Sequence, residues 1–157
     1  MSSEITDLIA RIEDQESRLQ FTRFTHDDAW TIGSSLVRRA QERSLGITVD
    51  ITKGEQQVFH VSLAGTTADN DDWVARKTRT VKRYAASSYL VGRRHKAEGK
   101  EFNEASGLPL SLYAAHGGSF PIVIRDAGLV GTVTVSGLAQ GDDHALVVEA
   151  LGTFLGE

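Results

Sequence analysis

Two short segments hold most of the residues suited to chemistry. His116-Gly117-Gly118-Ser119 offers an imidazole, a hydroxyl and two glycines that let a backbone approach a ligand closely. Asp142-Asp143-His144 offers two carboxylates and a second imidazole where a helix should begin. Glycine turns and helix N-termini present free N–H groups to anions, so the combination suits a carboxylate or phosphate ligand. The Gly-Gly-Ser run lacks the spacing of a P-loop. Tight turning by the glycines, with capping by Asp142 or Asp143, explains the same residues without a ligand. Ser119, His116 and Asp142 can be written as nucleophile, base and orienting acid, although nothing in their order makes them a triad.

Lys77 is the third candidate. At about 100° per residue, Trp73, Val74, Val81, Tyr84, Ala85 and Val91 form one apolar stripe, and Lys77 falls inside it. An ammonium on a buried face must be paired, must snorkel, or must lose its proton. One reading is an anion anchor or an amine of lowered pKa. The other is a structural ion pair with a core-edge carboxylate such as Asp50. A candidate ligand pocket therefore draws on Trp73, Lys77, His116, Gly117, Gly118, Ser119, Asp142 and His144. The histidines, His26, His60, His95, His116 and His144, show no metal-site spacing, so no metal centre is expected. One histidine suffices to ligate haem iron, and Met1 is the only methionine.

The elements that must position these residues read as helices around an antiparallel sheet. Ile5, Leu8, Ile9 and Ile12 recur at helical spacing, and Leu19 to Phe24 suits a short edge strand. A second helix runs from about Asp27 to Arg43, with Gly46 just beyond. Ile47, Val49 and Ile51 alternate with polar residues, Lys53-Gly54-Glu55 turns the chain, and Phe59, Val61 and Leu63 alternate on the way back. His60 then lies on the face opposite Phe59 and Val61. A long helix is expected from about Asp71 to Arg94, then an irregular connection over Glu98 to Leu110. Phe120 to Arg125 and Leu129 to Ser136 form a second hairpin about Asp126-Ala127-Gly128. A last helix opens at Asp142 and repeats Val147, Leu151, Phe154 and Leu155. The fold class is α+β, with four or five strands in the order α-α-β-β-α-β-β-α. The second hairpin brings Gly117 and Ser119 beside Val135 to Gly137, and so towards Asp142 to His144.

Composition narrows the function classes. The chain has 157 residues, a length for one domain spanning 1–157, with a net charge of −4. There is no global attraction to nucleic acid or anionic membrane. Without cysteine, disulfides, thiolate catalysis and Fe–S clusters are excluded. The N-terminal residues lack the basic and apolar regions of a signal peptide, so a cytoplasmic location is expected. From Arg76 to Lys96 the chain is basic without an acidic residue, a solvated helix face or a subunit contact.

Several motifs occur in a telling order: Trp73-Val74-Ala75-Arg76-Lys77, Ala86-Ser87-Ser88, Tyr113 to Pro121, Val135-Ser136-Gly137-Leu138, and Asp143-His144. Over roughly Ile5 to Leu155 the chain resembles a small branch of the haem-degrading-domain superfamily (GlcG/HbpS-like). Gly141 departs from the pattern, standing where an acidic residue is expected. The resemblance implies a compact domain that forms homo-oligomers, with haem or another small ligand bound by some relatives. The leading expectation is thus a homo-oligomeric small-molecule-binding protein for an anionic or haem-like ligand, with no nucleic-acid or membrane partner. The rival classes are an oxidative haem-degrading enzyme and a non-catalytic scaffold or chaperone-linked interaction protein.

Overall fold

The computed structural model describes residues 3–157. Helices α1 (Ser3–Arg18) and α2 (His26–Glu42) lead into strands β1 (Thr48–Lys53) and β2 (Gln56–Ser62). Helices α3 (Ala68–Tyr84), α4 (Ser88–Ala97) and α5 (Phe102–Ser106) follow. Strands β3 (Ser119–Ile124) and β4 (Gly128–Ser136) and helix α6 (Gln140–Leu155) complete the chain. The fold is α+β, as expected, with one antiparallel sheet in the order β2-β1-β4-β3. Two hairpins are joined through β1 and β4, which pair from Thr48↔Ser136 to Lys53↔Gly131. Leu19 to Phe24 contributes only a parallel bridge, Phe21↔Ile124, at the outer edge of β3.

The sheet separates two chemistries. One set of alternating side chains, Val49, Ile51, Phe120, Ile122, Val133 and Val135, packs with Ile32 and Leu36 of α2 and Leu146, Val147 and Leu151 of α6. Burying each such side chain contributes roughly 1.5–3 kcal/mol, which makes this layer the main core. Gly33 lets α2 sit tightly on β2, because a Cβ there would lie 2.5 Å from the Phe59 ring. The other set is rich in hydroxyls and faces α3. Thr134 exchanges hydrogen bonds with Thr78 of α3 (3.2 Å) and with Ser119 (2.8 Å), and Thr52 bonds Thr132 (2.7 Å). Buried polar groups on this face are thus satisfied by one another. A smaller apolar cluster, with Ile12, Leu90, Val91, Phe102 and Ala115, holds α1 and α5 to α4.

The expected long helix from Asp71 to Arg94 is two helices. Ala85 adopts a left-handed conformation (φ 53°) and ends α3. The Ser87 hydroxyl then accepts from the Leu90 N–H and starts α4. Glu16 of α1 pins this corner, its carboxylate accepting from the Ser87 N–H at 3.2 Å. The expected irregular stretch after α4 also contains a helix, α5, begun by the Glu101 side chain accepting from Glu104 N–H. No helix among the described residues is long and apolar enough to cross a membrane.

Candidate functional site

The first turns of α3, the end of β4 and the start of α6 meet around an open cleft of about 290 Å³. Thr67 caps α3 and places Asp69 and Asn70 at the cleft rim. Trp73, one turn on, forms a wall, and Lys77, one turn deeper, reaches the floor. β4 contributes Ser136, whose hydroxyl accepts from Asn70 Nδ2 at 3.3 Å. Gln140 and Asp143 come from α6, whose N-cap residue, Ala139, supplies no side-chain cap.

Lys77 is 4% exposed, as its place in the apolar stripe predicted. Its carboxylate partner is Asp143 (Nζ–Oδ2 3.1 Å), and it also donates to the Val135 carbonyl at 3.0 Å. Asp50, the partner suggested above, is engaged elsewhere. It accepts from Gln57 and bonds His60 Nδ1 at 2.8 Å, while His60 Nε2 bonds Asp71 of α3 at 2.9 Å. The correction follows from reach. Lys77 points along α3 towards the end of β4, and Asp50 lies one strand away, opposite Thr134. Asp143 also accepts from the Leu138 N–H at 2.9 Å, so it holds the 137–139 loop as well as the lysine. Burial drives both groups towards neutrality, lowering Lys77 and raising Asp143, and their mutual attraction opposes both shifts.

The glycine pair has a specific purpose. A Cβ on Gly118, whose φ is 139°, would stand 2.6 Å from Lys77 Nζ and 2.4 Å from the Val135 carbonyl. A Cβ on Gly117 would stand 2.2 Å from the Gln140 carbonyl. Only glycine lets this loop pass between the lysine and α6. The loop is fixed by Gly117 N–H donating to Gln140 Oε1 and Val135 N–H donating to the Gly118 carbonyl.

His116 stacks on Trp73 with ring centroids 5.1 Å apart and planes 22° from parallel, and Arg76 lies over Trp73 at 4.9 Å. Its imidazole makes no hydrogen bond among the described residues. Partial burial first, then the charges of Lys77 and Arg93, hold its pKa below the ordinary value. It is therefore neutral near pH 7, with a lone pair to offer.

Of the expected residues, Trp73, Lys77 and His116 line the cleft; Gly117 and Gly118 pack against Gln140 and Lys77 without lining it, and Ser119, Asp142 and His144 do not line it either. Ser119 pairs with Thr134 rather than Val135, because the turn pairs Ile124 with Gly128, centred one residue earlier than Ala127, and the bulge between Ile122 and Val123 recovers only part of that difference. Asp142 faces a separate hollow with Arg43 and Glu149. His144 is buried between Tyr89 and Phe120, where its Nε2 bonds Gln15 at 2.7 Å and burial pushes its pKa down to about 4. Ser119, His116 and Asp142 form no hydrogen-bonded triad. Asp69, Asn70, Gln140 and Asp143 were absent from the sequence expectation as cleft residues. The approach of the Asp142 to His144 segment to the glycine pair pointed to Asp143, and the capping signal at Thr67 was the available pointer to Asp69 and Asn70.

Residues 24–152 match the family described as haem degrading protein HbpS-like. The chain is 55% identical over 149 residues to UPF0303 protein SCO2848 of Streptomyces coelicolor, covering 95% of this chain and 94% of that one. It is 50% identical over 148 residues to UPF0303 protein R02983 of Rhizobium meliloti, covering 94% and 90%. Among solved structures, the Ybr137w protein superposes with a TM-score of 0.84 at 28% identity, covering 94% of this chain and 87% of that one. A PduOC:heme complex superposes at 0.68 and 17% identity, covering 82% and 93%, which shows a shared fold.

Proposed function

The chain belongs to the HbpS-like haem-degrading protein family, and from that membership together with the cleft we propose a homo-oligomeric, cytoplasmic small-molecule-binding protein. Its ligand is a small planar anion. The Trp73–His116 stack covers the flat face, and Lys77, backed by Asp143, meets the acidic group. One observation carries this reading. The chain keeps glycine at position 118, in a conformation other residues avoid, where any side chain would displace the ammonium of a buried lysine that lines an open cleft. A buried ion pair is weak evidence for stability alone, so this arrangement suits recognition better than scaffolding. Oligomerisation is supported by Trp30, which stays 66% exposed beside Phe59 and offers a large apolar contact.

Haem is a second reading, favoured by the neutral imidazole of His116, a suitable iron ligand. The cleft itself does not fit a porphyrin. It is about 290 Å³ and is lined chiefly by Asp69, Asn70, Ser136, Gln140 and the Lys77–Asp143 pair. A macrocycle needs apolar contact over both faces, so no step of oxidative haem degradation is derived through this site.

The test is Trp73 fluorescence in a Trp30→Phe background, with benzoate and haemin as separate probes. Saturable quenching by benzoate, weakened in His116→Ala, is expected. Saturable quenching by haemin alone would replace the planar-anion reading with the haem reading. No saturable response to either probe, or quenching indifferent to His116→Ala, would remove the cleft as the binding site.

A further inference from the structure

His116 borders a second hollow, on the side away from the Trp73 cleft. It has a volume of about 530 Å³ and runs between α4 and α5. Three cations line it, Arg93, Lys96 and Lys100, against one carboxylate, Glu101. Arg93 and Lys96 are one turn apart on α4, and Lys100 follows the end of that helix. Its apolar floor is Phe102 and Ala115, both 5% exposed. Gly92 permits this approach, since a Cβ there would lie 2.0 Å from the Ala115 carbonyl.

The cations differ in what already satisfies them. Arg94, on the other side of α4, pairs with Glu13 at 2.7 Å. Lys100 pairs with Glu98 at 3.2 Å on the surface. Arg93 and Lys96 make no ion pair among the described residues. The Arg93 Nε is buried and has no hydrogen-bond partner, while the guanidinium sits 5.5 Å from the Tyr89 ring centre. The helix dipole accounts for basic residues in the last turn of α4. It does not account for a buried N–H left without an acceptor. The one carboxylate of the lining, Glu101, accepts from the Glu104 N–H at 2.7 Å and forms no ion pair with Arg93.

We propose that the α4–α5 groove is a second ligand site, one for a small organic anion bearing two or more negative charges, whose acidic group accepts from Arg93. Arg93 supplies the directional donor, Lys96 and Lys100 the remaining charge, and Phe102 with Ala115 the contact for the organic body. Because His116 forms part of both walls, an anion in the groove raises its proton affinity and so reports occupancy. The site shares no cation with the cleft and stands or falls independently of the function proposed there.

Citrate and pyrophosphate serve as probes, one for a polycarboxylate and one for a polyphosphate ligand. The readout is the side-chain Nε–H resonance of Arg93, assigned by its loss in Arg93→Gln. A saturable shift with at least one probe is expected, and preference between the two identifies the acid. Affinity, followed through backbone resonances of Phe102 and Asn103, falls about tenfold in Arg93→Gln, as for a lost charge-assisted hydrogen bond, and less than about twofold in Arg94→Gln. Asp69→Asn in the cleft leaves it unchanged. A shift that never saturates with either probe, or equal affinity in Arg93→Gln and Arg94→Gln, overturns the proposal.

Discussion

Replacing Lys77 with Met keeps most of the side-chain length and removes the ammonium. The side chains of Lys77 and Asp143 are 5% and 2% exposed, so water cannot hydrate the carboxylate left behind. Breaking a buried pair by removing one partner costs ~3–5 kcal/mol. Asp143 retains the Leu138 N–H at 2.9 Å and a longer one from Gly137 at 3.4 Å, which places the loss at the lower end, about 3 kcal/mol. Asp143→Asn in the Lys77→Met background removes the charge and keeps an acceptor oxygen for the Leu138 N–H, at the loss of the longer bond from Gly137, and should recover ~1 kcal/mol. Lys82→Met provides the control. Its partner Glu55 is 95% exposed and 3.5 Å away, so the change should stay within ~0.5 kcal/mol. Urea unfolding at pH 7, with unchanged m, gives all three values. A Lys77→Met loss no larger than that of Lys82→Met, or a double variant no more stable than the single, would refute the buried-pair argument.

Three further outcomes follow from other positions. His144 is neutral in the folded chain, with its pKa lowered from 6.5 to about 4, so the unfolded state takes up a proton first as pH falls. Stability should drop between about pH 6.5 and 4 by roughly 3 kcal/mol relative to His144→Gln, as urea midpoints across that range will show. For His60, burial lowers the pKa, but the bonds and charges of Asp50 and Asp71 outweigh it and the net shift is upward. Its stabilisation is complete below 6.5 and is lost as pH rises through the raised value, and an NMR titration should show that value fall in Asp50→Asn. Gly118→Ala should destabilise by ~2 kcal/mol or more, against about 1 kcal/mol for Gly54→Ala, whose positive φ is matched by open space.

The sheet was legible because both hairpins alternate apolar and polar residues around a glycine-containing turn, and that period admits one register within a residue. The break between α3 and α4 was not. It rests on Ala85 in a left-handed conformation and on Ser87, with neither glycine nor proline to mark the stop. A continuous helix would set the basic residues of α3 and α4 along one rod, whereas the break at Ala85 separates Arg93 and Lys96 from it and leaves them lining the groove. Lys77 was legible as an anomaly, since a helical stripe predicts burial from sequence alone. Its partner was not, because choosing between Asp50 and Asp143 depends on how α3 lies across the sheet. His144 joined the candidate site by proximity in sequence, but helical periodicity turns it inward to Tyr89 and Phe120 while Asp143 faces the lysine. The α+β class and the family were accessible early, and the composition of the cleft required the fold.

The cleft claim is tested most directly by titrating the His116 and His144 ring resonances with and without saturating benzoate. In the free protein His116 should titrate below 6.5, held down by partial burial and by Lys77 and Arg93. With benzoate bound, its pKa should rise and the Trp73 indole resonance should shift, while His144, buried away from the cleft, stays neutral to about pH 4. If saturating benzoate moves residues elsewhere and leaves His116 and Trp73 unchanged, the ligand does not bind against their stack.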